Sequence, residues 1–294
     1  MYYCTMTIQQ AYQQLLLKLY ELYDDREAIN ISDIVIENVT GFRKIDRIMN
    51  KQFPLNAQQQ ELLEDYANAL MQHKPVQYVL HEAWFAGMKF YVNENVLIPR
   101  PETEELVAWI IEEIRNSEFK IRNLLDIGTG SGCIPIVIKK KLPQLDVHAV
   151  DISEHALEVA KQNAHEQEAE VSFHQMDILS EEVEKNKEVF DIIVSNPPYI
   201  KQSEAESMQK NVLKHEPHLA LFVTGEDALL FYRAITQFAS EHLSENGFLF
   251  FEINEVHGEE VVDLLQQNGF IDIRLKKDMQ GKNRMIKAVW KKEE

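Results

Sequence analysis

The amino-acid sequence predicts an α/β fold with a largely parallel sheet, preceded by a small helical bundle. Apolar residues recur at three- and four-residue steps through the first third of the chain, which is typical of packed helices. After residue 120, short apolar strands alternate with amphipathic helices. A glycine-rich turn follows the first of these strands, at the position where open parallel sheets bind ligands.

The N-terminal part predicts a helical domain over residues 1–74. Residues 8–23 form one apolar stripe, and a later helix begins with Asn56 as its cap and stops at Lys74–Pro75. Such stripes are usually buried in a core. On pattern alone this domain is a packing or recognition module with no chemistry of its own.

A β-hairpin-like connector is predicted over residues 75–97. Aromatic and β-branched residues dominate it, and Gly87 and the cluster Asn93–Asn95 are turn signals. The next segment, Ile98–Glu104, holds two prolines that fix φ and restrict the residues before them. We expect it to be a stiff, extended entry to the third domain, residues 98–294.

The third domain is predicted to contain seven strands with helices between them. The strand candidates are residues 124–127, 147–150, 171–173, 190–194, 248–253, 271–275 and 285–290. The later helices are expected at residues 133–141, 154–166, 228–242 and 259–268. The acidic stretch of residues 181–188 is predicted to be a solvated surface segment.

Composition and charge disfavour several classes of function. With 48 acidic and 30 basic side chains the net charge is -18, which would repel a phosphate backbone at long range. Cys4 and Cys133 lie far apart, so neither a disulfide framework nor a zinc site is indicated. The cluster His215–His218 also fails as a metal site, because a proline separates histidines three residues apart. No metal site is predicted.

The chain shows no membrane or export signal in its sequence. The N-terminus has no basic region before its apolar residues, and no run of 18 apolar residues occurs. We therefore expect a cytoplasmic protein without a membrane span.

The glycine-rich turn and the acids after the next two strands predict a nucleoside-binding edge. The turn Gly128–Gly132 lets the backbone bend sharply and lets a ligand approach closely. Asp151 closes the second strand, where a carboxylate can accept hydrogen bonds from both ribose hydroxyls. Asp177 and Ile178 follow the third strand and could border an adenine, although for Asp177 the role of a helix cap is the better-supported reading.

The tetrapeptide Asn196–Tyr199 is the sharpest signal in the sequence. Two adjacent prolines end the strand before it and lock the backbone. The Asn196 side-chain oxygen and the Pro197 carbonyl can then accept both N–H bonds of a planar NH2 group, a poor nucleophile that must be held in line with its electrophile. Tyr199 would supply a flat wall against the planar group.

These residues resemble class I S-adenosylmethionine-dependent methyltransferases that act on planar amino groups. Asn-Pro-Pro-Tyr is shared with DNA adenine and some RNA guanine methyltransferases, so other segments must decide. Residues 75–78, Phe85, 97–104, 216–217 and 220–221 are similar to the peptide chain release factor glutamine methyltransferase (PrmC/HemK) family. The resemblance implies a seven-stranded, Rossmann-like methyltransferase sheet.

The resemblance also implies the cofactor, the partner and the roles of site residues. It implies S-adenosylmethionine as cofactor, S-adenosylhomocysteine as product, and the Gly-Gly-Gln glutamine of release factors as the methyl acceptor, with neither membrane nor direct nucleic-acid binding. The residues implied to bind the cofactor are Gly128, Thr129, Gly130, Ser131, Gly132, Asp151, Asp177, Ile178 and Asn196. The residues implied to hold the glutamine are Asn196, Pro197, Pro198 and Tyr199, of which Asn196, Pro197 and Tyr199 are the catalytic candidates.

Three alternatives stay open at this point. A nucleic-acid amino methyltransferase, acting on adenine N6 or guanine N2, would use the same tetrapeptide, but neither part of the chain has a basic excess. A non-catalytic cofactor-binding scaffold would be expected to have lost the tetrapeptide. An NAD-dependent oxidoreductase is disfavoured because Cys133 stands where the dinucleotide motif has its third glycine.

Overall fold

A computed structural model of the protein describes residues 6–180, 188–207, 210–223 and 225–292. The chain forms two compact units, Met1–Glu82 with Gln209–His215, and Ala83–Met208 with Glu216–Glu294. The acidic residues 181–187, expected to be solvated, lie outside the described residues, and Glu188 after them is exposed.

The elements follow the predicted order of helices, hairpin and alternating strands and helices. In chain order they are α1 (Ile8–Leu19), α2 (Asp25–Thr40), α3 (Lys44–Met49), α4 (Ala57–Met71), α5 (Val76–Leu80), β1 (Glu82–Phe85), β2 (Met88–Tyr91), α6 (Pro101–Asn116), β3 (Asn123–Ile127), α7 (Cys133–Lys141), β4 (Asp146–Asp151), α8 (Glu154–Glu166), β5 (Ser172–Gln175), β6 (Phe190–Ser195), α9 (Lys210–His215), α10 (His218–Leu221), α11 (Leu230–His242), β7 (Leu243–Glu252), α12 (Gly258–Gln267), β8 (Phe270–Lys277) and β9 (Asn283–Trp290).

The first unit is a helical bundle in which α1, α2 and α4 begin at capping side chains. Asn56 caps α4 as predicted, since its side chain accepts from Gln59 N at 2.9 Å while the Gln59 side chain accepts from Asn56 N. The Asp24 side chain caps α2 by accepting from Glu27 N. Residues from α1, α2, α4 and α5 pack into one apolar core, so the predicted helical bundle is present.

The connector differs from its prediction at its start. Residues 76–80, which the prediction includes in the hairpin-like connector, form the short helix α5, which follows Pro75 and ends at His81 in the left-handed conformation. A short apolar run cannot be assigned to helix or strand by periodicity alone, and here all of residues 78–80 are buried. The hairpin is therefore confined to β1 and β2, which form a two-stranded sheet.

The second unit contains the predicted seven-stranded sheet, in the order β5-β4-β3-β6-β7-β9-β8. The five strands from β5 to β7 in this order are parallel to one another, and β9 runs antiparallel to both β7 and β8. Strand β7 begins at Leu243, five residues earlier than predicted, because Leu243 pairs with Phe190 before a register shift that pairs Phe248 with Ile192. The predicted α/β fold is confirmed.

Two apolar layers cover the two faces of this sheet. One contains residues of the hairpin, α6 and α7, and the other contains residues of α11 and α12. Register brings the carboxyl ends of four strands to one edge, since Ile127 at the end of β3 pairs with both Val150 and Ser195, and Asp151 pairs with Gln175. The segments after β3, β4, β5 and β6 therefore emerge side by side.

Among the residues that the structure describes, no helix combines the length and apolar character needed to cross a membrane.

Candidate active site

A cavity of about 380 Å³ opens at the carboxyl edge of the parallel strands. Its walls come from the segments that follow β3, β4, β5 and β6, together with the stretch before α6 and part of α10 and α11. The sequence-predicted residues that line it are Gly128, Thr129, Gly130, Ser131, Asp151, Asp177, Ile178, Asn196, Pro197 and Pro198. The structure therefore brings most of the predicted site together around one space.

The glycine-rich turn leaves β3 and is tied to the end of β4. Gly128 N and Thr129 N both donate to Val150 O, at 2.9 and 3.0 Å. Gly128 has φ of +77°, and a Cβ built on it would meet nothing within 4 Å, so the turn leaves open space above its backbone. The Thr129 hydroxyl is buried beside the Asp126 carboxyl and lowers the pKa of that group.

Gly132 lies where α7 and α8 pack together. It does not line the cavity, and a Cβ there would stand 3.0 Å from Ile136 Cδ1 and 3.1 Å from Ala160 Cβ. Because Gly132 has no side chain, α7 can approach α8 closely. Gly132 is also the residue before α7, where it adopts the left-handed conformation with φ of +78°. The predicted direct contact between Gly132 and cofactor stays a prediction.

Asp151 holds the turn while keeping acceptor capacity for a ligand. Its Oδ2 accepts from Gly130 N and its Oδ1 from Ser153 N, each at 2.9 Å. Burial raises the pKa of this carboxyl, and these backbone donors oppose the rise. A carboxylate has about four lone-pair sites, so Asp151 keeps acceptor capacity for a ribose beside the backbone donors Gly130, Ile152 and Ser153.

Asp177 and Ile178 line the same cavity, just after β5. Asp177 Oδ1 accepts from Leu179 N at 2.9 Å, so this acid also fixes the local turn. The described residues that follow Asp177 form a turn and not a helix, so Asp177 does not cap a helix there, and its contact with the adenine stays a prediction. Ile178 is half-buried beside it, as an apolar cover for a ring face requires.

The tetrapeptide after β6 is a fixed corner of the cavity. Ser195 Oγ donates to Ile127 O at 2.7 Å, and Pro197 is buried. Beyond the corner, Ile200 forms a bridge with Phe222 through two backbone hydrogen bonds. Such anchoring at both ends holds Asn196 and the Pro197 carbonyl at the edge of the space.

Tyr199 is placed differently from the other three. It is absent from the described cavity lining and packs instead against the core cluster of α11 and β7. Burial raises its pKa to about 12. Its role as a flat wall for the substrate stays a prediction.

Sequence reasoning missed a buried acid behind the corner. Glu252, the last residue of β7, is 3% exposed, and the Thr103 hydroxyl donates to its Oε2 at 2.6 Å. Asn196 Nδ2 lies 3.4 Å from the same hydroxyl. Burial raises the pKa of Glu252 to about 7, while Thr103, Arg284 and the Asn196 amide hold it from rising further.

Two further features of the site lay outside the predicted set of site residues. Arg100 Nη2 donates to both carboxylate oxygens of the buried Glu216, at 2.6 and 2.7 Å, which joins two stretches that line the cavity. Asp126 on β3 is fully buried, with the Thr129 hydroxyl beside its carboxyl. Burial raises its pKa to about 7.

The fold and the site together define a class I methyltransferase. The chain matches the model of the methyltransferase small domain over residues 107–226 and that of the PrmC N-terminal domain over residues 10–80. The fold is similar to the hMettl16 catalytic domain solved in complex with a MAT2A 3'UTR hairpin, with a TM-score of 0.54 and 14% identity, covering 80% of this chain and 82% of that one.

Closer relatives define the family. The chain is 46% identical to the release factor glutamine methyltransferase of Flavobacterium psychrophilum, over 96% of this chain and 99% of the relative. It is 42% identical to the one of Bacteroides thetaiotaomicron, over 92% and 95%. The chain therefore belongs to the release factor glutamine methyltransferase family, and the resemblance seen in the sequence is confirmed.

Proposed function

We propose that this protein transfers a methyl group from S-adenosylmethionine to the side-chain amide nitrogen of the glutamine in the Gly-Gly-Gln motif of peptide chain release factors. The observation that carries the proposal is the shared cavity, since the Asn196–Pro197 corner and Asp151 with the glycine turn line one space. Curated relatives with this name cover nearly the whole chain.

The cofactor half of the cavity fits S-adenosylmethionine. Asp151 would accept from the ribose hydroxyls, and Asp177 and Ile178 would border the adenine. The open space at Gly128 and Thr129 would receive the remaining part of the cofactor. When bound there, S-adenosylmethionine supplies an electrophilic methyl group on its sulfonium. Gly130, Ser131 and Gly132 complete the turn.

The Asn196–Pro197 corner would hold the reacting amide. An amide nitrogen is planar with a delocalised lone pair, so the main work of the protein is alignment. Asn196 Oδ1 and the Pro197 carbonyl would accept one N–H each, and Pro198 stiffens the corner. These acceptors would favour the positive charge that develops on nitrogen as the N–C bond forms and the S–C pair stays on sulfur. The alkylated nitrogen then loses one proton to water.

The test of the proposal offers three acceptors side by side with labelled cofactor. We expect label in intact release factor and none in ribosomal RNA or duplex DNA, in line with the charge of -18. Label in nucleic acid with none in release factor would overturn the proposal in favour of an amino methyltransferase acting on bases. Because the proposed substrate is a translation factor, we also propose that the reaction takes place in the cytoplasm.

We assign substrate docking to the helical domain, residues 1–74. Support comes from large apolar side chains that α3 exposes in this unit, namely Ile45, Ile48 and Met49. Charging two of them by Ile48→Asp and Met49→Asp should raise the KM for release factor and leave the affinity for S-adenosylhomocysteine unchanged. An unchanged KM in a folded variant would contradict this assignment.

A further inference from the structure

A chain of three polar side chains leads from the cavity into the core. Asn196 lies at the cavity, Thr103 on α6 is 4% exposed, and Glu252 at the end of β7 is 3% exposed. Asn196 Nδ2 is 3.4 Å from Thr103 Oγ1, which in turn is 2.6 Å from Glu252 Oε2. The three groups come from separate elements, so the fold and not the local sequence assembles them.

The direction of hydrogen bonding along this chain follows from the number of protons available. An ionised carboxylate only accepts hydrogen bonds, whereas a hydroxyl has one proton to donate. Thr103 therefore donates its one hydrogen bond to Glu252 and can only accept a hydrogen bond from Asn196. Because the Thr103 oxygen acts as an acceptor here, the NH2 group of the Asn196 carboxamide turns towards it. Asn196 Oδ1 then faces the cavity and can accept a hydrogen bond from a substrate.

We propose that Glu252, acting through the Thr103 hydroxyl, is a positioning residue that fixes the orientation of the Asn196 carboxamide. The inference rests on the proposed function, because it matters only if Asn196 Oδ1 accepts from a substrate NH2. A flipped carboxamide would present its own NH2 to the substrate NH2, so two donors would face each other. The chain removes that unproductive orientation before the substrate arrives.

Side-chain packing alone does not account for the hydroxyl. Valine has nearly the shape of threonine, and a residue needed only to fill space between α6 and β7 would tolerate that exchange. The buried carboxylate of Glu252 needs a donor, and Thr103 meets that need while it also faces Asn196. The position thus calls for a group that both donates and accepts.

The experiment compares Thr103→Val, Thr103→Ser and Asn196→Ala with the unchanged chain on intact release factor. We expect Thr103→Val to lower kcat roughly 10- to 100-fold, with little change in the Kd of S-adenosylhomocysteine or in KM. Thr103→Ser restores the hydroxyl and should recover most of the kcat. Wild-type kcat in Thr103→Val would overturn the inference.

A double-mutant cycle separates positioning from general structural support. If Thr103 acts through Asn196, adding Thr103→Val to Asn196→Ala should lower the residual kcat little further. An equal fold-loss in both backgrounds would contradict the inference. Should Thr103→Val fail to fold, Thr103→Ala, which also removes the hydroxyl, takes its place in the same cycle, with the same two outcomes.

The proposed function and this inference fail in different ways. Failure of the unchanged chain to methylate release factor would refute the proposed function. Normal methylation by the unchanged chain, together with normal methylation by Thr103→Val, would refute only the positioning role.

Discussion

At the scale of single residues, Asn196 is the group whose loss should separate catalysis from cofactor binding. Its carboxamide is part of the corner after β6 and lies at the cavity. Because the proposed acceptor acts on charge that develops in the transition state, Asn196→Ala should lower kcat roughly 100- to 1,000-fold. Calorimetry with S-adenosylhomocysteine should show nearly unchanged affinity.

Asn116→Ala is the matched control for that change. Asn116 is the exposed last residue of α6, so its loss should leave turnover unaffected. Full activity in Asn196→Ala would contradict the role given to the corner. A loss of cofactor affinity equal to the loss of turnover would instead mean that Asn196 mainly binds cofactor.

Glu252 should give kcat a pH dependence near neutrality. Burial raises its pKa to about 7, and below that pH the protonated acid can donate to Thr103, which frees Asn196 to turn. Turnover at saturating cofactor should therefore rise as pH increases through about 7. Glu252→Gln cannot ionise, so its profile should lack this step.

The other titratable groups that face Glu252 come from several elements, and their pKa values do not account for a step in kcat near pH 7. Glu102 on α6 raises the pKa of Glu252, whereas Arg284 on β9 lowers it. Burial raises the pKa of Tyr199 and of Cys133 on α7 to about 12, and it raises that of Tyr232 on α11 well above 10. Glu259→Gln, at an exposed position of α12, is the control that should keep the step. A step retained in Glu252→Gln would assign it to another group.

At the scale of elements, Gly132 tests how closely α7 and α8 approach. Gly132→Ala should destabilise the fold through two costs, a left-handed φ of +78° and a Cβ 3.0 to 3.3 Å from Ile136 and Ala160. The first costs about 1–2 kcal/mol and the second about 1–3 kcal/mol. Urea unfolding measures their sum.

Gly281→Ala isolates the first of these costs. Gly281 has φ of +85° in the turn between β8 and β9, and its added Cβ would meet nothing within 4 Å. We expect Gly132→Ala to lose clearly more unfolding free energy than Gly281→Ala. Equal losses would mean that α8 moves away from α7 at no cost.

The elements also show what local sequence can and cannot predict. Helix α4 was predicted with its cap, because Asn56 and Gln59 form a signal within four residues. Helix α5 was missed, since a five-residue apolar run after Pro75 has no periodicity to separate helix from strand. Glycines and acids at strand ends were found, because parallel strands bring their carboxyl ends to one edge.

At the scale of the whole molecule, the missed site residues are those joined across the chain. Thr103 and Glu252 are 149 positions apart, and Arg100 and Glu216 are 116 apart. Periodicity and spacing carry no information on such pairs. The stretch of residues 97–104 was noted as part of the family resemblance, but nothing in its sequence says which later residue its side chains meet.

Asp126 makes the stability of the whole molecule depend on pH. Burial raises its pKa from 3.8 to about 7 in the folded chain. Between those values the folded state keeps a proton that the unfolded state has lost, so the free energy of unfolding falls as pH rises through this window. Over this whole pH range the free energy of unfolding falls by roughly 4 kcal/mol at most.

Asp126→Asn cannot ionise and should lack this loss. Relative to the unchanged chain without cofactor, its unfolding free energy should increase from about pH 4 to pH 8, as followed by urea unfolding. Asp263→Asn, at an exposed position of α12, should run parallel to the unchanged chain. A parallel curve for Asp126→Asn as well would show that the Asp126 carboxylate is solvated in the folded protein.

The measurement closest to the central claim is tandem mass spectrometry of a release factor incubated with the protein and S-adenosylmethionine. The fragment ions should place one methyl group on the side-chain nitrogen of the Gly-Gly-Gln glutamine, and incubation with Asn196→Ala should leave that residue largely unmodified. A methyl group on any other residue, or an unmodified glutamine after incubation with the active chain, would contradict the account.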